Sequence, residues 1–402
     1  MQKLIEFMMK NNNKSVVRRG IWPENMGTPV VTPLSPTVVH HYQDADQLQS
    51  LHEGEINGFD YARDSHPNAE VLADKISWME GASSGLMTAS GMSAITAVLL
   101  SILKKGDKVA AASQLYGRSL RMMQQELPKL GFETNFFDAS NPTTFGEAIG
   151  VETKLILAEV VSNPMLRVTH FEELVKKAKS IGALLLVDNT FTTPNGFKPL
   201  EHGADLVMNS VTKMLSGHSD LNLGYIGAKD DSLIEKISDA IAIFGLNSSP
   251  YNCWMAERGL HTFDLRYKQS QSNASKLAKF LQTQPNVSKT VYPELESHPD
   301  YQIAKIMLEN GFGSMVSFVL DGGRDQANAF LRAAKNIPYC PTLGDVATTV
   351  IIPSISSHRK FPKEERITMG IEDNLIRVSV GIENFELIKD EFSYALEASI
   401  KN

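Results

Sequence analysis

The chain has 402 residues, more than one ordinary domain needs, so two domains, or one large domain with a smaller one, are expected. Hydrophobic residues make up 42% and charged residues 21%, close to globular averages, so the chain is expected to fold throughout. A formal net charge of −7 argues against a protein that binds the phosphate backbone of nucleic acid, because that function requires clustered Lys and Arg in excess.

The cysteines and the apolar segments narrow the class of protein further. Cys253 and Cys340 lie far apart and lack zinc-ligand spacing, so neither a disulfide framework nor a metal site is predicted, and a cytoplasmic protein is expected. The first residues, MQKLIEFMMKNNNK, lack the pattern of a cleaved signal and are interpreted as a mobile arm. The most apolar stretch, 92–103, is too short and too polar to span a bilayer, so a buried helix and no membrane contact are predicted.

From about residue 70 to 230, apolar runs of strand length alternate with amphipathic stretches of helix length. Runs that are apolar on both faces are typical of a parallel sheet covered by helices on both sides, so an α/β domain with right-handed crossovers is predicted. The predicted strands lie at 108–113, 154–161, 183–189 and 204–210, and predicted helices at 119–131 and 171–182.

Past Trp254 the pattern changes to a smaller α+β arrangement. A long helical segment is predicted at 258–284, strands near 313–321 and 374–383, and a closing helix at 385–400. The predicted division is an N-terminal arm at 1–60, an α/β domain at 61–255 and a C-terminal α+β domain at 256–402. The junction has no linker composition, so the two domains are expected to pack tightly and to share one site.

Polar residues close the predicted strands, where ligands of an open α/β sheet bind. The three runs end in 162–164 (Ser-Asn-Pro), 188–190 (Asp-Asn-Thr) and 209–213 (Asn-Ser-Val-Thr-Lys). An acid such as Asp188 either caps the next helix or stays ionised against a cationic ring nitrogen. Lys213 is either a surface lysine with an extended stem or a neighbour of an anion bound by two hydroxyls.

A helix N-terminus supplies the backbone donors that a phosphate needs. Ser90, Gly91 and Met92 open the predicted apolar helix, and Gly91 lets a ligand approach the backbone closely. The alternative is that this glycine only permits close helix packing.

These residues resemble a known family, the pyridoxal-phosphate enzymes of cysteine and methionine metabolism, over nearly the whole chain from about Gly27. The most specific motif is LVDNTFTTP…GADLVMNSVTKMLSGHSD at 186–220. Shorter matches lie at 61–63, 90–92, 116–117, 162–164, 343–345 and 375–383. The resemblance implies an aspartate-aminotransferase-like fold, in which a large cofactor-binding domain with a mostly parallel sheet precedes a smaller α+β domain.

The resemblance also implies roles for the matching residues. Lys213 would carry pyridoxal phosphate as a Schiff base and shuttle protons, with a pKa lowered by burial. Asp188 would keep the ring nitrogen protonated, so that the ring withdraws electrons, and Tyr116 would stack on the ring and act in acid–base steps. The remaining cofactor-binding residues implied within the chain are Ser90, Gly91, Met92, Ser210 and Thr212 at the phosphate and Asn163 at the ring's 3-oxygen.

Two further sets of residues are implied at the substrate and at a subunit contact. Arg377 would bind the substrate carboxylate with its planar fork of donors, beside Thr342; the alternative is a surface arginine paired with Glu372 or Asp373. Tyr61 and Arg63 would reach the phosphate of the neighbouring subunit. The resemblance therefore implies a homo-oligomer with shared sites, a dimer or a tetramer.

The activity implied is γ-elimination on a sulfur-containing amino acid, which gives an α-keto acid, ammonia and a thiol. γ-Replacement on an O-acylhomoserine remains the alternative, because it uses the same residues. A cofactor-binding protein without turnover would lack Lys213 or Asp188, and both are present.

Several positions depart from the family pattern. His66-Pro67-Asn68, Arg118 and Thr342 are expected near the substrate mouth, which leaves the identity of the substrate open. Ala347 stands where cystathionine enzymes tend to carry a Glu, and this leans away from cystathionine as the substrate.

Overall fold

The structure is a computed structural model that describes residues 27–400. The mobile arm predicted at the N-terminus lies outside the described residues up to residue 26. Residues 27–33 belong to a separate N-terminal unit and contain neither helix nor strand. The second unit begins at Leu34 and contains the helices and strands of the described chain.

The larger sheet has seven strands and is mostly parallel. Its strands are β1 (Ser84–Thr88), β2 (Lys108–Ala112), β3 (Glu133–Phe137), β4 (Thr153–Glu159), β5 (Leu184–Asp188), β6 (Leu206–Ser210) and β7 (Gly224–Ala228). Their spatial order is β1-β7-β6-β5-β4-β2-β3. The five strands from β6 to β3 are parallel, whereas β7 is antiparallel to both of its neighbours. The predicted fold class is confirmed.

Helices surround this sheet, and most of them connect its strands. They are α1 (Ala45–His52), α2 (Pro67–Glu80), α3 (Gly91–Ile102), α4 (Gly117–Arg121), α5 (Phe145–Ala148), α6 (Phe171–Ile181), α7 (Thr193–Gly196), α8 (Asp231–Phe244), α9 (Pro250–Leu260) and α10 (Phe263–Gln282). The helix predicted at 119–131 is broken into α4, a π-helical turn at Met122–Glu126 and a 3₁₀ turn at Pro128–Leu130. Pro128 has no backbone N–H, so regular α-helical bonding cannot continue through it.

The segment predicted as one long helix at 258–284 is two helices, α9 and α10. Arg266 of α10 donates hydrogen bonds to the carbonyl oxygens of Gly259, Met214 and Leu215 at 2.9, 2.7 and 2.9 Å. The Arg266 side chain therefore gives the Gly259 carbonyl at the end of α9 a hydrogen-bond donor. It also connects α10 to the segment that follows β6. The domain boundary predicted at 255–256 lies inside α9.

A second, antiparallel sheet forms the smaller part of the fold. Its strands are β8 (Val287–Val291), β9 (Met315–Leu320), β10 (Thr349–Ile351) and β11 (Leu375–Ser379), in the order β10-β11-β9-β8. The accompanying helices are α11 (Tyr301–Met307), α12 (Arg324–Ala333), α13 (Lys363–Thr368) and α14 (Phe385–Ile400). Its core centres on Phe318, Phe330 and Phe392, whose ring centroids are 5.5 to 6.1 Å apart.

Two negative findings concern the described chain. No helix within residues 27–400 is long and apolar enough to cross a membrane. The same residues contain no cluster of three or more His, Cys, Asp or Glu side chains that could bind a metal ion.

Candidate active site

A cavity of about 390 Å³ opens at the carboxyl ends of β4, β5 and β6. The end of a parallel strand is where an open α/β sheet binds its ligands, so this cavity lies where a site is expected. It brings together residues from both sheets. The predicted residues that line it are Ser90, Gly91, Met92, Tyr116, Asn163, Asp188, Ser210, Thr212, Lys213, Thr342 and Arg377.

One wall of the cavity is the N-terminus of α3. Ser90 caps this helix, since its Oγ accepts a hydrogen bond from the Ser93 amide at 3.1 Å. The amides of Gly91 and Met92 belong to the first turn, where no carbonyl within the helix can accept from them. A Cβ on Gly91 would stand only 2.8 Å from the Cβ of Ser210, so the missing side chain lets the helix lie against the end of β6. The close-packing explanation for this glycine is thus observed, and the same packing keeps the amides beside the cavity.

Two buried carboxyl groups lie side by side in the lining of the cavity. Asp188 and Glu159 are paired residues of the neighbouring parallel strands β5 and β4. Burial, together with the charge of Asp188, raises the pKa of Glu159 well above its ordinary value. Burial also raises the pKa of Asp188, although hydrogen bonds from Thr190, including its amide at 3.0 Å, oppose this. A cationic group beside the pair would relieve both effects, because it favours the ionised carboxylates.

Glu159 is a site residue that the sequence reasoning missed. It accepts a hydrogen bond from the backbone amide of Tyr116, and so it fixes the start of α4 against the end of β4. The available signal was a single acid inside a buried apolar run, three residues before the Ser-Asn-Pro turn.

Lys213 lies in the turn that follows β6 and faces the same cavity. Its amide donates to the Ser210 carbonyl at 3.0 Å, and its carbonyl accepts from the Gly217 amide at 2.8 Å, so the backbone of this turn is fixed on both sides. Burial lowers the pKa of the Lys213 amine, and the positive charge of Arg377 lowers it further. A lowered pKa increases the fraction of neutral amine, the form that acts as a nucleophile or base.

Arg377, in β11, connects the smaller sheet to the cavity. It donates to Asn163 Oδ1 at 2.9 Å and to the Thr342 carbonyl at 2.8 Å, while its buried Nε has no partner among the described residues. Burial lowers the pKa of Arg377 to about 10. It is not a surface arginine paired with Asp373, which instead binds Arg366 at 3.1 Å.

Tyr61 and Arg63 do not line the cavity of their own chain. Both are exposed, and the Arg63 guanidinium lies 4.9 Å from the centroid of the Tyr61 ring. The single chain therefore places these two residues apart from the other predicted site residues.

The positions that depart from the family pattern separate into two groups. Arg118 and Thr342 line the cavity, as predicted. His66 and Asn68 do not, which corrects the prediction that they lie near the substrate mouth: both are buried at the start of α2. His66 Nδ1 accepts from the Ala69 amide at 3.1 Å and Nε2 lies 3.2 Å from Ser248 Oγ, so this ring caps the helix.

A cavity of this kind, at the end of a mostly parallel sheet and beside a second, antiparallel one, is typical of pyridoxal-phosphate-dependent enzymes. The residues present fit that cofactor. The first turn of α3 suits its phosphate, the paired carboxyls suit a cationic ring nitrogen, and the unpartnered Nε of Arg377 suits a carboxylate. The family described as Cys/Met metabolism PLP-dependent enzyme matches residues 14–397, so the chain belongs to that family.

Individual relatives agree with this assignment. Cystathionine gamma-lyase of Bacillus subtilis (strain 168) is 36% identical over 344 residues, which cover 86% of this chain and 90% of the relative. L-methionine gamma-lyase of Fusobacterium nucleatum subsp. nucleatum is 35% identical over 381 residues, which cover 93% and 95%. The crystal structure of cystathionine gamma synthase from Xanthomonas oryzae pv. oryzae in complex with cystathionine has a TM-score of 0.88 at 32% identity and covers 92% of this chain and 94% of that one. The predicted family and its cofactor are confirmed.

Proposed function

We propose that the protein catalyses γ-elimination on a sulfur-containing amino acid, giving an α-keto acid, ammonia and a thiol. The observation that carries the proposal is the placement of Lys213 and Arg377 in one cavity, where the arginine's charge helps to lower the pKa of the lysine. One group can then bind a carboxylate while the other moves protons. The two gamma-lyases that are 35% and 36% identical to the chain support elimination.

Each of the proposed active-site residues has a distinct role in this reaction. Bound pyridoxal phosphate supplies an electron-withdrawing ring that stabilises negative charge at the α-carbon of the substrate. Arg377 binds the α-carboxylate and so orients the α-hydrogen. The Lys213 amine takes that proton and carries protons between the α-carbon, the β-carbon and the leaving sulfur. Asp188 would supply the negative charge that keeps the ring nitrogen protonated, and Tyr116 would pack on the ring and assist in proton transfer.

In this proposal, residues of one chain would bind the phosphate of the cofactor, and two residues of a neighbouring chain would complete the phosphate site. The residues that would bind the phosphate are Ser90, Gly91, Met92, Ser210 and Thr212, and Asn163 would contact the ring's 3-oxygen. Arg63 and Tyr61 would contact the phosphate of the neighbouring subunit. In support, Arg63 is exposed and forms no ion pair with a carboxylate in the part of the chain from 27 to 400. The active form is then a homo-oligomer; a tetramer and a cytoplasmic location stay predictions of the sequence.

γ-Replacement is the second candidate. The cystathionine gamma synthase of known structure is 32% identical to the chain and has the same fold, and the residues named above serve replacement equally well. In that reaction a thiol or sulfide adds to the substrate where the γ-substituent has left.

Product analysis separates the two candidates. The cofactor-loaded protein is incubated with methionine, cystathionine, homocysteine or O-acetylhomoserine, with and without sulfide. Elimination gives an α-keto acid and ammonia from a sulfur amino acid without added sulfide. A product that forms only when sulfide is present supports replacement, and no product from any of the four contradicts both. Lys213→Ala is expected to retain bound cofactor and to lose several orders of magnitude in rate.

A mixing experiment tests the shared site. Arg63→Ala and Lys213→Ala proteins, each inactive, are mixed under conditions that exchange subunits. A mixed dimer contains one site with both the native lysine and the native partner arginine, so activity is expected to return. Demonstrated exchange without recovered activity, or a fully active monomer, would show that Arg63 acts within its own chain.

A further inference from the structure

An ion pair outside the cavity connects the turn that carries Asn163 to the smaller part of the fold. Arg167 donates from Nε to Asp300 Oδ2 at 2.7 Å and from Nη2 to Asp300 Oδ1 at 2.9 Å. Neither residue lines the cavity. Arg167 belongs to the turn 162–168, which follows β4, whereas Asp300 lies directly before α11. The pair therefore joins this turn to the segment between β8 and α11.

The turn 162–168 is closed by hydrogen bonds of its own. The Ser162 amide donates to the Arg167 carbonyl at 2.9 Å, and Ser162 Oγ accepts from the Arg167 amide at 2.9 Å. The Ser162 carbonyl accepts from the Leu166 amide at 3.0 Å. Because Asn163 follows Ser162 directly, these bonds hold Asn163 in a fixed relation to Arg167, and a displacement of one end of the turn moves the other.

Asp300 uses its side-chain oxygens on this turn and not on its own helix. Its side chain is only 5% exposed, and Oδ2 also accepts from the Val168 amide at 2.9 Å. An aspartate directly before a helix commonly accepts from the amides of the first turn, but Asp300 makes no such bond with α11. Its own amide donates to Nδ1 of the buried His298 at 3.1 Å. The two parallel bonds to the Arg167 guanidinium fix the direction of that side chain as well as its distance.

The other side of the turn contacts the residue assigned to the substrate carboxylate. Arg377 donates to Asn163 Oδ1 at 2.9 Å. Ser317, the partner of Arg377 across β9 and β11, donates from Oγ to the Pro164 carbonyl at 2.8 Å. The direction of the Arg377 guanidinium therefore depends on where the turn places Asn163. An ion pair that only stabilised the fold would have no such connection to Arg377.

We propose that Asp300 is a positioning residue for the substrate carboxylate. Through Arg167 it holds the turn 162–168 where Asn163 fixes the guanidinium of Arg377. This inference rests on the proposed function, because it assumes that Arg377 binds the α-carboxylate. Since Asp300 does not line the cavity, its substitution weakens recognition of the carboxylate and leaves the remaining contacts of the substrate unchanged.

Two ligands without a γ-leaving group measure the carboxylate contact without turnover. Norleucine carries the α-carboxylate, and 1-aminopentane is the same molecule with hydrogen in its place. The dissociation constant of 1-aminopentane divided by that of norleucine, measured by calorimetry on the cofactor-loaded protein, gives the carboxylate preference. Asp300→Asn keeps the size of the side chain and removes its charge. It is expected to lower the preference by about tenfold, within the roughly 100-fold loss that a misplacement of about 1 Å can cause, and to leave the affinity for 1-aminopentane unchanged.

The ion pair of Lys75 with Glu257 provides a matched control. It joins α2 to α9 at 2.5 Å, and neither residue lines the cavity. Its side chains are 37% and 5% exposed, against 33% and 5% for Arg167 and Asp300. Glu257→Gln is expected to lower the unfolding free energy in denaturant, as Asp300→Asn does, but to leave the carboxylate preference unchanged. A role in stability alone would make the two variants behave alike.

Two further variants test whether the effect passes through the turn to Arg377. Arg167→Lys keeps the charge but loses the planar fork, so it should lower the carboxylate preference in the same direction and by less than Asp300→Asn. It also decides the test if Asp300→Asn does not fold. In a protein that already carries Arg377→Lys, Asp300→Asn should cause less additional loss than it causes alone, because residues that act through one another do not contribute additively.

The outcomes separate this inference from the proposed function. A native protein without carboxylate preference, a preference that neither Asp300→Asn nor Arg167→Lys lowers, an equal fall in Glu257→Gln, or fully additive losses with Arg377→Lys overturns the positioning role. If one of these results accompanies elimination of a sulfur amino acid, the function stands without it. A preference that falls as expected, in a protein that converts none of the four amino acids tested for products, supports the positioning role and contradicts the proposed function.

Discussion

Glu80 at the end of α2 makes the stability of the protein depend on pH. Its side chain is fully buried and accepts hydrogen bonds from the Nδ2 atoms of Asn189 and Asn209, at 2.9 and 2.6 Å. Burial raises the pKa of Glu80 to about 7, although the two asparagine hydrogen bonds and the charge of Lys198 oppose this. We expect Glu80→Gln to stabilise the protein above pH 7 and to flatten the pH dependence of unfolding below it.

The size of the effect follows from the two pKa values. The folded chain releases the Glu80 proton near pH 7 and the unfolded chain near its ordinary value of 4.5, so the folded chain binds more protons in between. Stability from this group is therefore complete below about pH 4.5 and is lost as the pH rises through about 7. Over that interval the loss amounts to about 3 kcal/mol of unfolding free energy.

Glutamine is nearly the same size and does not ionise. Its carbonyl oxygen can take the place of Glu80 Oε1, which accepts hydrogen bonds from both Asn189 and Asn209. The difference in unfolding free energy between Glu80→Gln and the native protein is measured by denaturant titration at pH 5 and pH 8. It should be about 2.5 kcal/mol more favourable to the variant at pH 8 than at pH 5, because part of the loss has already occurred at pH 5.

A control at an exposed carboxyl keeps the test specific. Glu397→Gln on α14 changes an exposed side chain and is expected to alter the unfolding free energy by less than about 0.5 kcal/mol at either pH. The reasoning is refuted if the difference for Glu80→Gln is the same at both pH values, or if the variant is less stable than the native protein at pH 8.

Three further predictions concern the cavity. Asp188→Asn should keep the fold but lower kcat by roughly 100-fold or more, because a neutral amide cannot hold the ring nitrogen protonated; an unchanged kcat would mean that the acid serves only its hydrogen bonds to Thr190. Gly91→Ala should weaken cofactor affinity by about tenfold in equilibrium dialysis, since its Cβ would stand 2.8 Å from Ser210 Cβ and push α3 away from β6; unaltered affinity would show that the close approach is not needed. Arg377→Lys keeps the charge but loses the fork and should raise KM by roughly 10- to 100-fold without changing cofactor affinity, whereas a loss of cofactor with normal KM would contradict its assignment to the substrate.

The strands that were predicted correctly are those buried on both faces. β4 and β5 are almost entirely inaccessible, and their continuous apolar runs are typical of a central parallel strand. β3 was missed because it is an edge strand with several exposed residues. β7 was missed because it carries Gly224 and Gly227, and glycine is depleted in strands.

The glycines of β7 and its neighbour β1 have a physical reason that only the packing reveals. Tyr225 is fully buried, and a Cβ on Gly227 would clash with its hydroxyl. Gly85, paired with Gly227 across the two strands, would bring a Cβ within 2.6 Å of the same hydroxyl. Gly85 and Gly227 therefore lack side chains at the positions where a side chain would overlap the Tyr225 ring. No local sequence pattern indicates this packing.

The site was predictable in proportion to how close its residues lie to the strand ends. Asn163, Asp188 and Lys213 follow predicted strands directly, so the topology of an α/β sheet places them together. The segment 356–361 lies far along the chain and reaches the cavity beside Gly117, whose missing Cβ leaves room for the Ser357 carbonyl. Long-range packing of this kind has no periodicity or motif, and the sequence analysis left these residues out.

The lining of the cavity comes from two sets of structural elements. Residues at strand ends and at the start of α3 line the part of the cavity that is proposed to bind the cofactor, whereas α4 and the segment 356–361 contribute the basic side chains Arg118, Arg121, Arg359 and Lys360. Arg377 joins the two halves, because it binds Asn163 after β4 and the Thr342 carbonyl in the smaller part of the fold. Substitutions at 118, 359 and 360 are therefore expected to leave the proposed cofactor contacts intact. Changes at Arg377 are expected to weaken the binding of every amino-acid substrate, since each one presents the same α-carboxylate.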